Sequence, residues 1–341
     1  ITDLTPVPHC VLLWRSFSHW IGGMGVLVFI LAVLPLFGGV DMHLMRAESP
    51  GPSVGKLVPN VKKTASYLYK IYLGMTVVQL IILLIAGMNL FDALCITFGT
   101  AGTGGFGIHN DSCLGYTMPQ QTIIAVFMLL FGINFNVYFL IVRKKVKEIF
   151  NIEEVKWYLI IVFGAVAAIV INWGDTENLY YSIHHAFFSV ASVITTTGYG
   201  TVDFNLWPMF SKFVIVMIMF IGACAGSTGG GMKVSRILIY VKTVKKEIEG
   251  MIHQKSIKVL KMDGKIVEHS VIRNANVYLV SYLMIMAVSL LIVALDNFDF
   301  ETSFTAVAAT FNNIGPGLGK VGPTGNFSEF SNLSKLVLTF D

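Results

Sequence analysis

The sequence predicts an all-α polytopic membrane protein, built from repeated units of helix, re-entrant pore helix and helix around a central pore. Three observations predict this class. Of the 341 residues, 55% are hydrophobic and only 13% are charged, whereas about 25% are charged in a typical soluble domain. Apolar stretches recur at the length of about 20 residues that a membrane span requires. Shorter apolar stretches lie between them, and each is followed by a glycine-rich segment.

The long apolar stretches divide the chain into units joined by loops. We expect spans at residues 16–37, 71–90, 119–142, 157–173, 207–225 and 277–295. In chain order the predicted segments are the inner helix of an incomplete first unit (1–40), a cytoplasmic loop (41–66), a second pore unit (67–142), a loop (143–156), a third pore unit (157–242), a loop with a possible hairpin (243–271) and a truncated fourth pore unit (272–341). About three of four pseudo-symmetric units are therefore expected, as in a truncated piece of a four-unit protein.

Basic residues concentrate on one side of these spans. Segments 41–70, 143–156 and 233–273 hold five, five and ten of the 24 Lys and Arg residues. By the positive-inside rule this side is cytoplasmic. The exterior segments carry ten acidic residues, Asp92 and Asp111 among them, against four basic ones. This balance either attracts cations to an outer mouth or belongs to ordinary solvated loops.

Three apolar segments are too short to span and are predicted to be re-entrant pore helices, at 92–101, 178–194 and 300–311. Acidic residues stand at their N-terminal ends, where the positive end of the helix dipole favours negative charge. These residues are Asp92, Asp175, Glu177, Asp299 and Glu301. The opposite, partly negative ends then point toward the glycine-rich stretches and favour a cation there.

A glycine-rich stretch follows each predicted pore helix. Thr195–Gly200 reads Thr-Thr-Thr-Gly-Tyr-Gly. It resembles the Thr-Val-Gly-Tyr-Gly filter of potassium channels, whose backbone carbonyls replace the hydration shell of the ion. Gly102–Gly107 and Asn312–Gly317 occupy equivalent places. Aligned on Gly105, Gly198 and Gly315, the predicted filter residues are Thr103, Gly104, Gly105, Thr196, Thr197, Gly198, Tyr199, Asn313, Ile314 and Gly315.

Gly102–Gly107 also matches the G-x-G-x-x-G pattern of dinucleotide-binding folds. That pattern requires a strand before it, a helix opening after it and an acid about 20 residues further on. Here a short helix precedes the glycines and the region near residue 125 is a predicted span, which favours a filter segment. The sequence also lacks the intramembrane cluster of Asp, Glu and His that a membrane enzyme needs, so neither a catalytic residue nor a cofactor is predicted.

Four glycines within Gly226–Gly231 interrupt an apolar helix at membrane depth. Each costs a helix interior about 1 kcal/mol relative to alanine, so this stretch is predicted to be unwound. It is either a mobile gate in the pore or a close helix-packing site of small residues. The predicted gate residues are Gly226, Gly229, Gly230, Gly231 and Lys233. Lys233 and Arg236 either snorkel toward the cytoplasm or couple the gate to a partner.

Polar residues inside two predicted membrane helices have open interpretations. Asn134 and Asn136 face either an aqueous cavity or a neighbouring helix. The pair His184 and His185 lies in a predicted pore helix without carboxylate or Cys partners at ligand spacing. That isolation favours packing or backbone bonding over metal binding.

A short hairpin is predicted in the third cytoplasmic segment, because Asp263-Gly264 is a strong turn signal between residues that alternate in polarity. Its apolar residues are Ile257, Val259, Ile266 and Val267. The hairpin either pads the loop or provides a docking element for a cytosolic ring.

Five motifs occur in a familiar order, namely Trp14–Gly25, Glu48–Pro52, Thr195–Gly200, Gly226–Lys233 and Asn312–Gly319. On these motifs the chain resembles the Trk/Ktr/HKT superfamily of potassium transporters, most of all its bacterial TrkH/TrkG-type membrane subunits. The resemblance extends over essentially the whole chain. It implies four units around one pore, with Gly226–Gly231 obstructing that pore below the filter.

The resemblance also implies function and partners. We expect potassium uptake across the plasma (inner) membrane by a multi-pass protein in contact with membrane lipid, with potassium as the transported ion. The expected partners are a second copy in a homodimer and a cytosolic, nucleotide-binding regulatory subunit of the RCK type, with no nucleic acid. Channel-like and sodium- or proton-coupled flux both stay open. A rival from another class is a non-conducting receptor or scaffold subunit with the same fold.

Overall fold

The computed structural model describes residues 4–32, 61–174, 178–253 and 259–341. Within these ranges the elements are α1 (His9–Ala32), α2 (Val61–Ile85), α3 (Leu90–Ala101), α4 (Met118–Phe131), α5 (Phe135–Val142), α6 (Val146–Ile149), α7 (Glu153–Trp173), α8 (Leu179–Ile194), α9 (Met209–Ile221), α10 (Val234–Ile252), β1 (Lys261–Met262), β2 (Lys265–Ile266), α11 (His269–Val293), α12 (Phe300–Phe311) and α13 (Asn332–Phe340).

Long apolar helices confirm a polytopic membrane protein. Among the described residues, Ser66–Ile85, Glu153–Trp173 and His269–Asp296 are each long and apolar enough to cross a bilayer. The pair α4 and α5 forms a fourth apolar stretch of that kind, bent by 89° at its break. Two apolar helices, α3 and α9, are too short to span on their own.

The predicted repeat is visible in the way the helices pack. Each unit has an outer helix (α2, α7 or α11) that contacts its own pore helix (α3, α8 or α12). Each inner helix then packs on the pore helix of the following unit: α4 contacts α8, and α9 contacts α12. Helix α1 packs in the same way on α3. This contact gives α1 the position of an inner helix that precedes the second unit.

The prediction of one continuous helix over 119–142 is wrong. The helix ends at Phe131 and restarts at Phe135, with Asn134 capping the new start by accepting a hydrogen bond from the Asn136 amide at 2.9 Å. Gly132 lies at the break, where a Cβ would lie 2.6 Å from the Tyr158 hydroxyl. The span predicted at 207–225 is also shorter, since α9 ends at Ile221.

The three pore helices occupy the predicted segments, and a side chain caps each of them. Asn89 accepts from the Asp92 amide, Asn178 from the Tyr181 amide and Asp299 from the Thr302 amide. Only Asp299 among these caps was expected from the acidic residues. Asp175 and Glu177 lie outside the described residues.

The predicted hairpin is confirmed, although it is short. Lys261 pairs with Ile266 and Met262 with Lys265 in antiparallel register, around the turn at Asp263 and Gly264. The predicted hairpin residue Ile257 and the motif Glu48–Pro52 lie outside the described residues.

Candidate functional site

The three predicted filter stretches begin with the same backbone turn at the C-terminal end of a pore helix. In each, one amide bonds the carbonyl five residues back: Gly104 to Gly99 at 2.9 Å, Thr197 to Ser192 at 2.9 Å and Ile314 to Ala309 at 2.8 Å. The amide before it bonds the carbonyl three residues back. These two hydrogen bonds together form the Schellman motif, a common C-terminal ending of an α-helix. The three backbones repeat in the register that aligns Gly105, Gly198 and Gly315.

The Schellman ending requires a left-handed residue, a position usually taken by glycine. Here it is taken by Thr103 at φ 49°, Thr196 at φ 57° and Asn313 at φ 56°. Asparagine tolerates this conformation, but a β-branched threonine is a genuine outlier there. Outliers of this kind persist only where their surroundings hold them, and they cluster at functional sites. This strain could not be predicted from the sequence, because threonine is an ordinary residue in a filter motif.

Neighbouring filter segments lie against each other through glycine. A Cβ on Gly105 would overlap the carbonyl oxygen of Thr197, and a Cβ on Gly198 would overlap the carbonyl oxygen of Ile314. Both glycines also have positive φ, at 63° and 86°. Around Gly315 the described residues leave open space within 4 Å of such a Cβ. The carbonyl of Thr197 in the third unit thus lies against Gly105 of the second, and the carbonyl of Ile314 in the fourth unit lies against Gly198 of the third.

The Tyr199 side chain is buried and anchors the filter segment of the third unit to pore helix α3. It is 2% exposed, and its hydroxyl lies 3.4 Å from the carbonyl of Ile96 in α3. Its own carbonyl accepts from the Ser192 hydroxyl at 2.6 Å. Just beyond, the Thr201 hydroxyl bonds His185 at 2.9 Å, while His184 bonds Gln121 at 2.8 Å. The two histidines therefore fasten pore helix α8 to its surroundings through side-chain hydrogen bonds.

The segment Gly222–Lys233, between α9 and α10, is non-helical and includes the glycine-rich loop Gly226–Gly231. We call Gly226–Gly231 the gate loop. It touches all three filter segments. The Thr103 hydroxyl donates to the carbonyl of Thr228 at 2.8 Å. The Thr196 hydroxyl accepts from the amide of Gly230 at 2.6 Å.

Contact with the fourth unit is made by the Gly230 backbone, where a Cβ would stand 3.1 Å from the carbonyl oxygen of Asn312 and 3.7 Å from the Cβ of Asn313. Glycine at 230 lets the loop approach this closely. The gate loop therefore lies against the same left-handed residues that begin the filter, and its hydrogen bonds hold the two strained threonines.

The other side of the gate loop is held by the break between α4 and α5. The amide of Phe135 donates to Gly226 and the amide of Cys224 donates to Gly132, both at 3.0 Å. The non-helical backbone between α4 and α5 and the non-helical backbone between α9 and α10 therefore form hydrogen bonds with each other, as backbone groups in apolar surroundings require. Asn134 lies beside Gly226, within 3.4 Å of a Cβ placed there. It thus contacts the gate loop as well as capping α5.

Lys233 and Arg236 are both buried, at 7% exposed, which contradicts the snorkelling interpretation. Lys233 is left-handed, at φ 76°, and donates from Nζ to the carbonyl of Gly229 in the gate loop. Arg236 donates to the carbonyl of Met232 at 3.0 Å and stacks over the ring of Tyr278 at 4.0 Å. Lys233 therefore belongs to the gate-loop structure, while Arg236 links α10 to the outer helix of the fourth unit.

Several of the acids that the sequence predicts to be exterior have side-chain partners in the structure. Lys212 meets Glu301 at 3.2 Å, and His109 lies 3.4 Å from Asp92. Asp299 accepts from both the hydroxyl and the amide of Thr302, and these bonds lower the pKa of its carboxyl. These acids are thus partly engaged in a helix cap and in contacts with basic side chains.

Comparison with known proteins gives one consistent family. The model of the TrkH family, described as a cation transport protein, matches residues 1–164 and 175–341. The Trk system potassium uptake protein TrkH of Escherichia coli K12 is 35% identical, over 99% of this chain and 71% of that protein. TrkG of the same organism is 32% identical, over 99% and 70%. The crystal structure of the potassium transporter TrkH from Vibrio parahaemolyticus superposes with a TM-score of 0.81 at 30% identity, covering 99% of this chain and 70% of that one.

Proposed function

The chain belongs to the TrkH family of cation transport proteins, and from this premise we propose that it carries potassium ions across the membrane through the three filter segments, under control of the gate loop. Relatives named as Trk potassium uptake proteins support potassium as the transported ion. The family is one of transporters rather than enzymes. The observation that carries the proposal is the threefold repeat of the filter backbone in contact with one glycine-rich loop.

The filter would work by replacing water around the ion with backbone oxygens. The carbonyls of Thr197 and Ile314 lie at the contacts between neighbouring segments. Backbone carbonyls at such positions can stand in for the hydration shell of a potassium ion. The C-terminal ends of α3, α8 and α12 point their partial negative charge at the same place. Both effects favour a cation, and neither needs an acidic side chain within the filter.

The gate loop would close the pathway on the cytoplasmic side of the filter. It lies against all three segments, and at Thr196 it presents the amide of Gly230. The buried ammonium of Lys233 donates a hydrogen bond to the carbonyl of Gly229 in the loop. Amide and ammonium hydrogens both carry positive charge, which opposes a cation that leaves the filter. Opening would require the loop and Lys233 to move together.

Two partners complete the proposal. A cytosolic, nucleotide-binding RCK-type subunit would move the gate loop, and a second copy of the chain would form a homodimer in the lipid bilayer. Both expectations rest on the resemblance to the wider superfamily. The buried link between Arg236 and Tyr278 supports a coupled cytoplasmic end, because α10 leads from the gate loop into the basic cytoplasmic segment.

Ion flux separates this function from a non-conducting scaffold with the same fold. The protein is expressed in bacteria that lack their own potassium uptake, and rubidium entry is measured in competition with potassium and with sodium. We expect uptake that potassium inhibits more strongly than sodium does. Protein that reaches the membrane in normal amount without any uptake would favour the scaffold.

A further inference from the structure

A buried carboxylate that sequence analysis did not single out binds both ends of the gate loop. Glu154, the second residue of α7, is 4% exposed. One of its oxygens, Oε1, accepts from the amide of Ala225 at 2.7 Å and from the amide of Ser235 at 3.1 Å. These two residues flank the gate loop and Lys233. A buried carboxylate is costly unless it is hydrogen-bonded, so the carboxylate and the two ends of the loop hold each other in place.

The position of Glu154 is set by the start of α7, which lacks a local cap. Ile152 occupies the N-cap position and makes no side-chain cap hydrogen bond. The cap comes from the cytoplasmic hairpin, where Oδ1 of Asp263 accepts from the amide of Glu153 at 2.8 Å. A carboxylate at this position also stabilises the positive end of the helix dipole. The turn of the hairpin therefore fixes the residue next to Glu154.

Lys242 ties the hairpin and α7 to α10, the helix that follows the gate loop. Its ammonium pairs with the carboxylate of Glu153 and donates to the carbonyl of Lys261 at 2.8 Å. The hairpin is also packed into the protein, because Leu260, Met262 and Val267 are each at most 5% exposed and share one hydrophobic cluster with α10. The hairpin, the start of α7 and the middle of α10 thus form one joint.

We propose that Glu154 is the positioning residue that holds the gate loop against the filter, and that the hairpin turn at Asp263 sets the position of Glu154. This proposal rests on the proposed function of the loop as a gate. A cytosolic protein that displaces the hairpin withdraws the cap from α7 and shifts Glu154. Both ends of the loop then lose their shared acceptor at once. Glu154 thus converts a displacement of the hairpin into release of the loop.

The native cysteines provide a test that reads the loop directly. Cys224 precedes Ala225 and is fully buried, as is Cys113 on the exterior side. The alkylation rate of Cys224 in the purified protein, measured by mass spectrometry, reports release of the loop, and Cys113 serves as the internal control. Glu154→Ala is expected to raise the Cys224 rate on the order of tenfold, since two buried hydrogen bonds to the Glu154 side chain are lost. Glu154→Gln should raise it less, because the amide oxygen still accepts.

Two hairpin variants extend the test to the joint. Asp263→Ala removes the cap of α7 and should raise the Cys224 rate, whereas Lys265→Ala, an exposed substitution in the same hairpin, should leave it unchanged. Unchanged Cys224 reactivity in both Glu154→Ala and Asp263→Ala would overturn the proposal. Equal increases at Cys224 and Cys113 would overturn it too, because they indicate general loosening. Should Glu154→Ala fail to fold, Glu154→Gln and Asp263→Ala decide.

Rubidium flux through the same preparations distinguishes the proposal that Glu154 holds the loop from the proposal that the loop is a gate. A raised Cys224 rate together with raised basal flux supports both. A raised Cys224 rate with unchanged flux keeps Glu154 as the holder of the loop and contradicts the loop as a gate.

Discussion

At the residue scale, the filter contains glycines that could be predicted from the sequence and strained backbone conformations that could not. Gly105 and Gly198 are required by contact with the next segment and by their positive φ. Thr103 and Thr196 are held in a conformation that β-branched residues avoid, and the gate loop bonds both hydroxyls. The gate loop is therefore in direct contact with two strained filter residues.

Gly198→Ser should impair selectivity. The left-handed backbone costs a residue with a Cβ roughly 1–2 kcal/mol, and the new Cβ would displace the carbonyl of Ile314. We expect about a tenfold loss in the preference for potassium over sodium, since 1.4 kcal/mol corresponds to a factor of ten. Competition between potassium and sodium for rubidium uptake measures it. Gly200→Ala is the matched control, because its Cβ would meet only Pro323 at an ordinary 3.5 Å. Equal selectivity in the two variants would remove Gly198 from the filter.

Thr196→Val should open the gate. Valine keeps the branched shape but leaves the partly buried Gly230 amide without its acceptor, which costs about 1 kcal/mol or more. This cost falls on the closed loop alone, so basal rubidium flux in liposomes should rise on the order of tenfold. Thr195→Val is the control, because the Thr195 hydroxyl bonds the carbonyl of Ala191 and the hydroxyl of Thr197, not the loop. Similar flux changes in both variants would contradict a specific role for Thr196.

At the scale of elements, periodicity and length predict the helices well and their interruptions less well. The pore helices could be predicted because an apolar segment too short to span the membrane, followed by glycines, fits few structures other than a re-entrant helix. The break at Gly132–Asn134 was not, since a single glycine is tolerated inside many helices. Its cause is a tertiary contact, the exchange of backbone hydrogen bonds with Cys224 and Gly226. The role of Glu154 was missed for the same reason, because its partners lie 71 and 81 residues away.

The cap of the fourth pore helix gives a prediction with a defined pH dependence. Asp299→Ala should destabilise the protein by about 1 kcal/mol, as loss of a helix N-cap does, whereas Asp299→Asn keeps an acceptor and should cost less. The hydrogen bonds from Thr302 lower the pKa of Asp299 in the folded state. Its contribution is therefore complete above the ordinary carboxyl pKa and is lost only as the pH falls through the lowered value.

Thermal unfolding in detergent measures this contribution. The difference between the native protein and Asp299→Ala should stay constant across neutral pH and shrink only in acid. A difference that already vanishes near neutral pH would show that the ionised carboxylate is not the cap.

At the scale of the whole molecule, the units follow one another around the candidate pathway, each inner helix packing on the next pore helix. Composition and charge placement predicted this class and its orientation, and the family relationship agrees with the class. The contact of the gate loop with three separate filter segments could not be predicted from the sequence. That arrangement depends on contacts between units that lie far apart in the chain.

Orientation can be tested with single cysteines in a background that lacks the exposed Cys10. The hairpin residue Lys265, changed to Cys, should react with a membrane-impermeant maleimide only after cells are permeabilised, since the positive-inside rule predicts that the basic segments are cytoplasmic. Asp111→Cys should react in intact cells. Labelling of position 265 from outside intact cells would reverse the assigned orientation.

The most direct measurement of the central claim is ion flux through a protein whose gate loop is shortened by deletion of Gly229, Gly230 and Gly231. Purified, monodisperse protein is placed in liposomes, and rubidium entry is compared with that of the intact chain, with potassium and sodium as competitors. A loop that closes the pathway below an intact filter predicts basal flux raised on the order of tenfold, with the preference for potassium retained. Folded protein with the flux of the intact chain would contradict the claim that this loop closes the pore.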